Sequence, residues 1–241
     1  MRKTDDTKQT KDNSTTQKEN KIDHDQLFKQ LILFFFEEFI RLFFPNFYAL
    51  IDFSTLSFLP HEYYTDILTG ERKLLDLVAK VKLLGRDVFF IIHNENQEKK
   101  EEDFSERMYC YNATLFLRYR LKIFPIAILS YKSPLKPENN TFDMTFEGIN
   151  VTGSGDFNPL HFEYYPLQLN RMDWRKFLDN PNPVASALMA KMKIATKDRP
   201  KVKAECLRML VTLKLAPART KFISGFIDSY LNLNAKENVV F

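Results

Sequence analysis

Residues 74–97, LLDLVAKVKLLGRDVFFIIHNENQ, decide the fold because they place two strand patterns on either side of a glycine. The first pattern alternates. Its apolar face holds Leu77, Ala79, Val81 and Leu83, and its polar face holds Asp76, Lys80 and Lys82. The second pattern, Val88 to Gln97, is apolar on both faces in its first half and polar in its last half. Together they predict a β-hairpin that turns at Gly85 and Arg86.

That turn predicts that Leu84 lies opposite Asp87 and that Asp76 lies opposite Glu95, with Gln97 on the same face. Two carboxylates that face each other across neighbouring strands repel each other unless a cation lies between them. Mg²⁺ prefers oxygen ligands and would relieve the repulsion, which favours a metal site. The alternative is that Glu95 begins an ordinary charged loop after the strand. The spacing alone leaves both interpretations open.

The flanking sequence predicts a mixed sheet covered by helices. Residues 103–121 have helical spacing, and residues 124–131 form a short apolar run, so the hairpin continues into a parallel crossover. Before the hairpin, residues 28–44 predict a helix that ends at Pro45 and carries Gln30, Glu37 and Arg41 on one polar stripe. Polar residues interrupt this helix too often for a membrane span.

The remaining sequence predicts two further strands, a series of C-terminal helices and an N-terminal tail. Two strands are expected around residues 143–151 and 161–169. Prolines then open three helices, the first of them capped by Asn182 and running through Ala195, and the other two beginning at Pro200 and Pro217. Residues 1–22 are polar and predict a disordered tail. We therefore expect an α/β domain over residues 23–170 and a helical C-terminal extension over residues 171–241.

Composition excludes several functions. The chain has 241 residues, only 6 glycines and no glycine-rich phosphate loop, which argues against a nucleotide cofactor. The 4 histidines are too widely spaced for a zinc motif, and the 2 cysteines, Cys110 and Cys206, are far apart. The absence of an apolar leader pattern and of paired cysteines predicts a cytoplasmic protein with no membrane partner. The net charge of +4 permits an anionic partner without identifying one.

Several segments in order resemble the PD-(D/E)xK nuclease core. They are similar in particular to its branch called the recombination-promoting nuclease or putative transposase family (YhgA-like). The segments are DHDQLFKQL, FFEEFIRLFFP, LLDLVAKVKL, IIHNENQ, DFSERMYCY and FPIAILSY, which span much of the chain. This resemblance implies a restriction-endonuclease-like mixed sheet and a DNA endonuclease that uses Mg²⁺ or Mn²⁺.

The resemblance also implies roles for individual residues. Asp76 and Glu95 would bind the metal, and Gln97 stands where most of the superfamily has a lysine. Glutamine can orient a water molecule or phosphate only by hydrogen bonding. Glu38 would be the auxiliary helix acid, although its neighbour Glu37 fits the pattern as well.

The opening D-x-x-x-K pattern of the family matches Asp25 and Lys29. A place near the site and a helix cap at Asp25 are both consistent with this match. The chain departs from the family at Asn94 and Asn96, where apolar residues are usual. Buried asparagines need hydrogen-bonding partners, so this departure leaves full and reduced activity both open.

Candidate DNA contacts are Lys80 and Lys82, which share the face of Asp76, and a basic run comprising Lys191, Lys193, Lys197, Arg199, Lys201 and Lys203. The alternative interpretation of the basic run is a solvated helical face. Cleavage of both DNA strands would require two sites and hence a homodimer. The alternative to a nuclease is a catalytically silent DNA-binding or interaction protein derived from a mobile element.

Overall fold

The structure, a computed structural model, describes residues 24–59, 63–65, 72–74, 77–95, 104–149, 153 and 155–240. Its first elements are the helices α1 (His24–Phe34), α2 (Phe36–Phe43) and α3 (Pro45–Tyr48) and the strands β1 (Ile51–Phe58), β2 (Tyr63–Thr65), β3 (Arg72–Leu74), β4 (Leu77–Leu83) and β5 (Arg86–Glu95). They are followed by α4 (Phe104–Tyr119), β6 (Lys122–Leu129), β7 (Thr141–Phe146), β8 (Phe157–Glu163) and β9 (Tyr165–Gln168). The C-terminal helices are α5 (Pro183–Leu188), α6 (Arg199–Thr212), α7 (Pro217–Tyr230) and α8 (Ala235–Val240).

The central sheet has five strands in the order β1-β4-β5-β6-β9. Strands β1, β4 and β5 are antiparallel neighbours, whereas β5, β6 and β9 run parallel. Helix α4 makes the crossover from β5 to β6, and β7 and β8 form a separate hairpin. The predicted α/β architecture is confirmed as a mixed sheet flanked by helices, with α5–α8 at the C-terminus.

The β4–β5 hairpin is confirmed, but its predicted turn is wrong. Leu83 pairs with Arg86 and Lys82 pairs with Asp87, so the two-residue turn is Leu84-Gly85. Both turn residues have positive φ angles, 49° and 74°, which suit the right-handed twist of a tight hairpin. The partner of Asp87 is therefore Lys82 instead of Leu84, and the predicted register, from which Asp76 was placed opposite Glu95, is wrong. Because this shift is two residues, the predicted division of each strand between its two faces is unchanged.

The two faces of the sheet bury separate cores. On one face, β4 and β5 pack against α1, α2 and the C-terminal helices through Leu77, Ala79, Val81, Val88, Phe90 and Ile92. On the other face, Val78, Phe89 and Ile91 pack against α4 through Met108, Tyr111 and Leu115. The prediction that the first half of β5 is apolar on both faces is confirmed. Burial on both faces makes β5 the centre of the domain.

The N-terminal helical segment is broken where the sequence predicts one helix. Phe35 has φ −135° and ψ 34°, which separates α1 from α2 and places Gln30 and Glu37 on different helices. The predicted single polar stripe is therefore wrong. Helix α2 ends before Pro45 as predicted, and Pro45 then opens α3, because proline at the first helical position loses no hydrogen bond.

The C-terminal helices begin close to the predicted residues. The Asn182 side-chain oxygen accepts hydrogen bonds from the backbone N–H groups of Val184 at 2.8 Å and Ala185 at 3.3 Å, which confirms the predicted cap. Helix α5 ends at Leu188, earlier than predicted, and a 3-10 turn over Met189–Lys191 follows. Pro200 lies in the first turn of α6, and α7 begins at Pro217. Within the ranges that the structure describes, no helix is long and apolar enough to span a membrane.

Candidate functional site

The candidate site lies where several strands of the central sheet end. Glu95, the last residue of β5, is level with Leu129 of β6, and Leu129 is level with Gln168 of β9. The antiparallel β4 begins at the same edge, since Leu77 pairs with Ile92. In open α/β sheets, ligands bind outside the carboxyl ends of the parallel strands. A ligand site is therefore expected at this edge of the sheet.

The predicted metal ligands are described only in part. Asp76, Asn96 and Gln97 lie outside the described residues, and so do residues 1–22 of the predicted tail. For Asn94 and Glu95 the structure describes the backbone alone. Among the side chains that are described, no group of three or more His, Cys, Asp or Glu residues could hold a metal ion. The metal site therefore stays a prediction from the sequence.

A small crevice at this edge brings the D-x-x-x-K pattern next to the sheet. Asp25 and Lys29 of α1 line it together with Leu77, Ile92 and Ile128. Asp25 lies in the first turn of α1, within the helix rather than ahead of it. The two polar side chains approach the edge from the α1 face. Alternation along β4 and β5 predicts the other face for Asp76 and Glu95, so the two pairs would flank the edge from opposite sides.

Glu38 makes its described contacts with the C-terminal helices. Its carboxylate lies 2.9 Å from the Arg219 guanidinium of α7, and its backbone oxygen accepts a hydrogen bond from the Asn182 side chain at 2.8 Å. The neighbouring Glu37 accepts a hydrogen bond from the Tyr48 hydroxyl at 3.0 Å, which raises the pKa of Tyr48. Neither glutamate contacts the described ends of β4 and β5 through a hydrogen bond or ion pair.

Lys80 and Lys82 lie along β4 toward the hairpin turn. The Lys80 ammonium forms an ion pair with Asp87 at 2.8 Å and lowers the pKa of that carboxyl. Lys82 is exposed, and its backbone N–H donates to the Thr55 hydroxyl at 2.9 Å. At about 3.4 Å per residue, Lys82 is roughly 17 Å along the strand from Leu77. The structure thus separates these lysines from the carboxyl edge.

A much larger cleft opens beside the crevice. It has a volume of about 1120 Å³ and lies between the segment that follows β6, the start of α1, the end of α7 and the segment that joins α5 to α6. His24 lines this cleft and its neighbour Asp25 lines the crevice, so both cavities reach the start of α1. The cationic side chains in the cleft wall are Lys132, Lys191, Lys193 and Arg199, and none of the described lining residues is acidic.

The wall that carries Lys132 is held by two buried amides. The Asn170 side-chain nitrogen donates to the backbone oxygens of Lys132 at 3.2 Å and Pro134 at 3.0 Å. The Gln168 side chain donates to the Lys136 oxygen at 2.9 Å and accepts from the Glu138 N–H at 3.2 Å. Both residues are less than 9% exposed. The segment after β6 is therefore fixed to the end of β9.

Lys191 is the most enclosed cation of the opposite wall. Its ammonium nitrogen lies 4.7 Å from the centre of the Tyr230 ring. Burial, with a smaller contribution from the charge of Lys132, lowers the pKa of Lys191 to about 8. Lys193 is exposed, while Arg199 forms an ion pair with Glu237 at 2.8 Å and donates to the Asn232 backbone oxygen at 2.7 Å. The three lysines of the cleft thus supply most of its positive charge.

The sequence pattern identifies only one wall of this cleft. Lys191, Lys193 and Arg199 belong to the predicted basic run, whereas Lys201 is exposed outside the cleft and Lys203 forms an ion pair with Asp228 at 2.7 Å. The opposite wall, with Lys132 and Asn170, was not predicted because a single lysine in a proline-containing loop has no distinguishing local pattern. Comparison of the chain with protein-family models, curated proteins and solved structures finds no match.

Proposed function

We propose that this protein is a divalent-metal-dependent DNA endonuclease that hydrolyses phosphodiester bonds at the carboxyl edge of its sheet and promotes recombination. The observation that carries the proposal is the row formed by Glu95, Leu129 and Gln168 beside the start of β4. Asp76 directly precedes β4 in the sequence, so both predicted metal ligands belong to chain segments that meet at this edge. The resemblance to PD-(D/E)xK nucleases supports the same reaction.

In this proposal each residue at the edge has one role. Asp76 and Glu95 hold Mg²⁺ or Mn²⁺, for which carboxylate oxygens are suitable ligands. A cation bound there supplies Lewis-acid stabilisation of charge at the phosphate and makes a water molecule more acidic. Gln97 orients the attacking water through a hydrogen bond. Cleavage of both strands would use two copies of the chain, and hence a homodimer.

Lys29 is proposed to supply positive charge at this edge from the α1 face, opposite the face predicted for Gln97. It lines the crevice with Leu77 and Ile92, at the edge where the reaction is placed. A cation there would stabilise the negative charge that develops on the phosphate during hydrolysis. Glu38 keeps its proposed auxiliary role, and its ion pair with Arg219 supports an action through the position of α2.

A thermal-shift titration with Mn²⁺ tests the metal site. At about 100 times the dissociation constant, a bound ion stabilises the fold by about 2.7 kcal/mol, or roughly 5–10 °C in a chain of this length. Asp76→Asn should abolish the shift. Asp87→Asn is the matched control, because this hairpin carboxylate pairs with Lys80 near the turn. A shift that survives in Asp76→Asn contradicts the assignment, and no shift in the wild type favours the silent binding protein.

A further inference from the structure

The cleft beside the candidate site has the properties of a site for an extended anion. Its volume of about 1120 Å³ exceeds that of most small-molecule pockets, which span roughly 300–1,000 Å³. Lysines enter it from two separate parts of the chain, Lys132 from the segment after β6 and Lys191 and Lys193 from the segment after α5. Like charges brought together by folding repel each other unless an anion lies between them.

Hydrogen bonds and ring contacts hold the walls of the cleft in place, which distinguishes the cleft from a chance group of surface lysines. Asn170 is buried and fixes the backbone of Lys132 through a hydrogen bond. The backbone N–H of Lys193 donates to the Met172 oxygen at 3.0 Å, next to the bridge between Asp173 and Lys193. Lys191 packs on Tyr230, whose ring also contacts His24 at 4.9 Å. Both cationic walls are thus anchored to the core.

We propose that this cleft binds the backbone phosphates of the DNA that the protein cleaves. Lys132, Lys191 and Lys193 contact the phosphates, and the strand continues past His24 and Asp25 to the carboxyl edge. The choice of DNA as the polyanion rests on the proposed nuclease function. The depressed pKa of Lys191 agrees with this role, since a bound phosphate restores the full charge of that lysine.

Two chain segments line both cavities and give the proposed path of the bound strand. His24 and Asp25 are consecutive residues, so the Cα atoms that border the two cavities are about 3.8 Å apart. Ile128 lines the crevice and Ser130 lines the cleft, two residues further along the same chain segment. A nucleic-acid strand carries one charge per roughly 3.4 Å of helix axis, so a strand in the cleft presents further phosphates at the crevice.

Fluorescence anisotropy with a short labelled DNA duplex tests the proposal in EDTA, where cleavage cannot interfere. Lys132→Gln combined with Lys193→Gln should weaken binding about tenfold. It should also reduce the slope of log Kd against log salt by about 0.9 for each phosphate that the variant no longer neutralises. Lys201→Gln is the matched control from the same basic run, outside the cleft, and should bind like the wild type. Lys191→Arg retains the charge and should retain binding.

The outcomes separate this proposal from the proposed reaction. Unchanged DNA binding in the Lys132→Gln, Lys193→Gln double variant overturns the cleft assignment, whether or not the protein cleaves DNA. Inorganic phosphate that binds the wild type but not the double variant, with DNA binding unaffected, identifies a site for small phosphates instead. DNA binding that depends on the cleft and is kept by Glu95→Ala, in a protein that cleaves no DNA, retains the cleft and rejects the nuclease.

Discussion

The Arg219 guanidinium lies 2.9 Å from the Glu38 carboxylate and also donates to the Phe34 backbone oxygen at 2.7 Å, so α7 is tied to the break between α1 and α2. The same guanidinium stacks over the Phe35 ring, with its central carbon 4.1 Å from the ring centre. One side chain thus links the C-terminal helices to the only residue between α1 and α2. This arrangement gives Glu38 a structural partner independent of any reaction.

We predict that Glu38→Gln and Arg219→Met each destabilise the fold and that their effects are not additive. The pair is partly exposed, so a double-mutant cycle should give a coupling energy of about 1 kcal/mol. Urea denaturation of the two single variants and the double variant measures it. Additive effects would show that the ion pair contributes nothing beyond the separate contacts of its members.

Asn182 both caps α5 and bonds to the backbone of α2. Asn182→Ser keeps a capping oxygen but loses the amide donor to the Glu38 oxygen, whereas Asn182→Ala loses both. We expect Asn182→Ala to cost about 2–3 kcal/mol in the free energy of unfolding and Asn182→Ser to cost less, because its cap survives. Chemical denaturation ranks the two variants. Equal losses would mean that the cap contributes little.

The hairpin turn offers a stabilising substitution. Leu84 is 71% exposed and holds a φ of 49°, a left-handed conformation. Asparagine adopts this conformation more easily than leucine, because its short polar side chain can hydrogen-bond to the nearby backbone. Leu84→Asn creates the favoured Asn-Gly turn and should stabilise the protein by about 0.5–1 kcal/mol. Thermal unfolding measures the change, with Leu135→Asn as a control for the loss of an exposed leucine in a loop elsewhere. A lower melting temperature in Leu84→Asn alone would contradict the turn assignment.

The partly buried charge of Lys191 should lower the free energy of unfolding at neutral pH. Its pKa is about 8 in the folded protein and 10.5 ordinarily, so between these values the unfolded chain binds more protons and stability rises with pH. Lys191→Met should remove this rise and stabilise the protein by about 1–3 kcal/mol at pH 7, while weakening DNA binding. The smaller contribution to the lowered pKa of Lys191 comes from the charge of Lys132, which lies across the cleft.

Unfolding measured between pH 7 and 9 checks this prediction. Above that range the buried Cys206 thiol acts in the opposite direction, because burial raises its pKa from 9.0 to about 12. Lys191→Arg is the control, since arginine stays charged and should show no rise. A wild-type stability that is flat from pH 7 to 9 would contradict the burial of the Lys191 charge.

The sequence predicts the strands of this fold better than its turns and helix breaks. Alternation in β4 and double-sided burial in β5 are local periodic signals, so both strands and their faces were predicted. The turn at Leu84-Gly85 was missed because its conformation depends on a leucine that accepts positive φ, which propensity argues against. The break at Phe35 depends on packing against Phe222 and Arg219 of α7, more than 180 residues away in the chain.

The sequence predicts the candidate site from its residue types and does not predict the tertiary contacts around it. A strand that ends in Glu95 and a preceding Asp76 give a chemical pattern, and the structure places the end of β5 at the carboxyl edge of the sheet. The cleft could not be predicted, since it joins Lys132 to Lys191 through folding alone. The ion pair of Glu38 with Arg219 is equally a product of tertiary contact.

Nicking of supercoiled plasmid by the purified protein in Mg²⁺ tests the central claim most directly. We expect the wild type to convert supercoiled to open circular DNA, and EDTA to stop the reaction. Glu95→Ala should lose activity by about 100-fold or more, since it removes a proposed metal ligand. Glu147→Ala, an exposed carboxylate after β7, should cleave like the wild type. Equal cleavage by Glu95→Ala and the wild type would contradict a nuclease site at this edge, as would a wild type that binds DNA without nicking it.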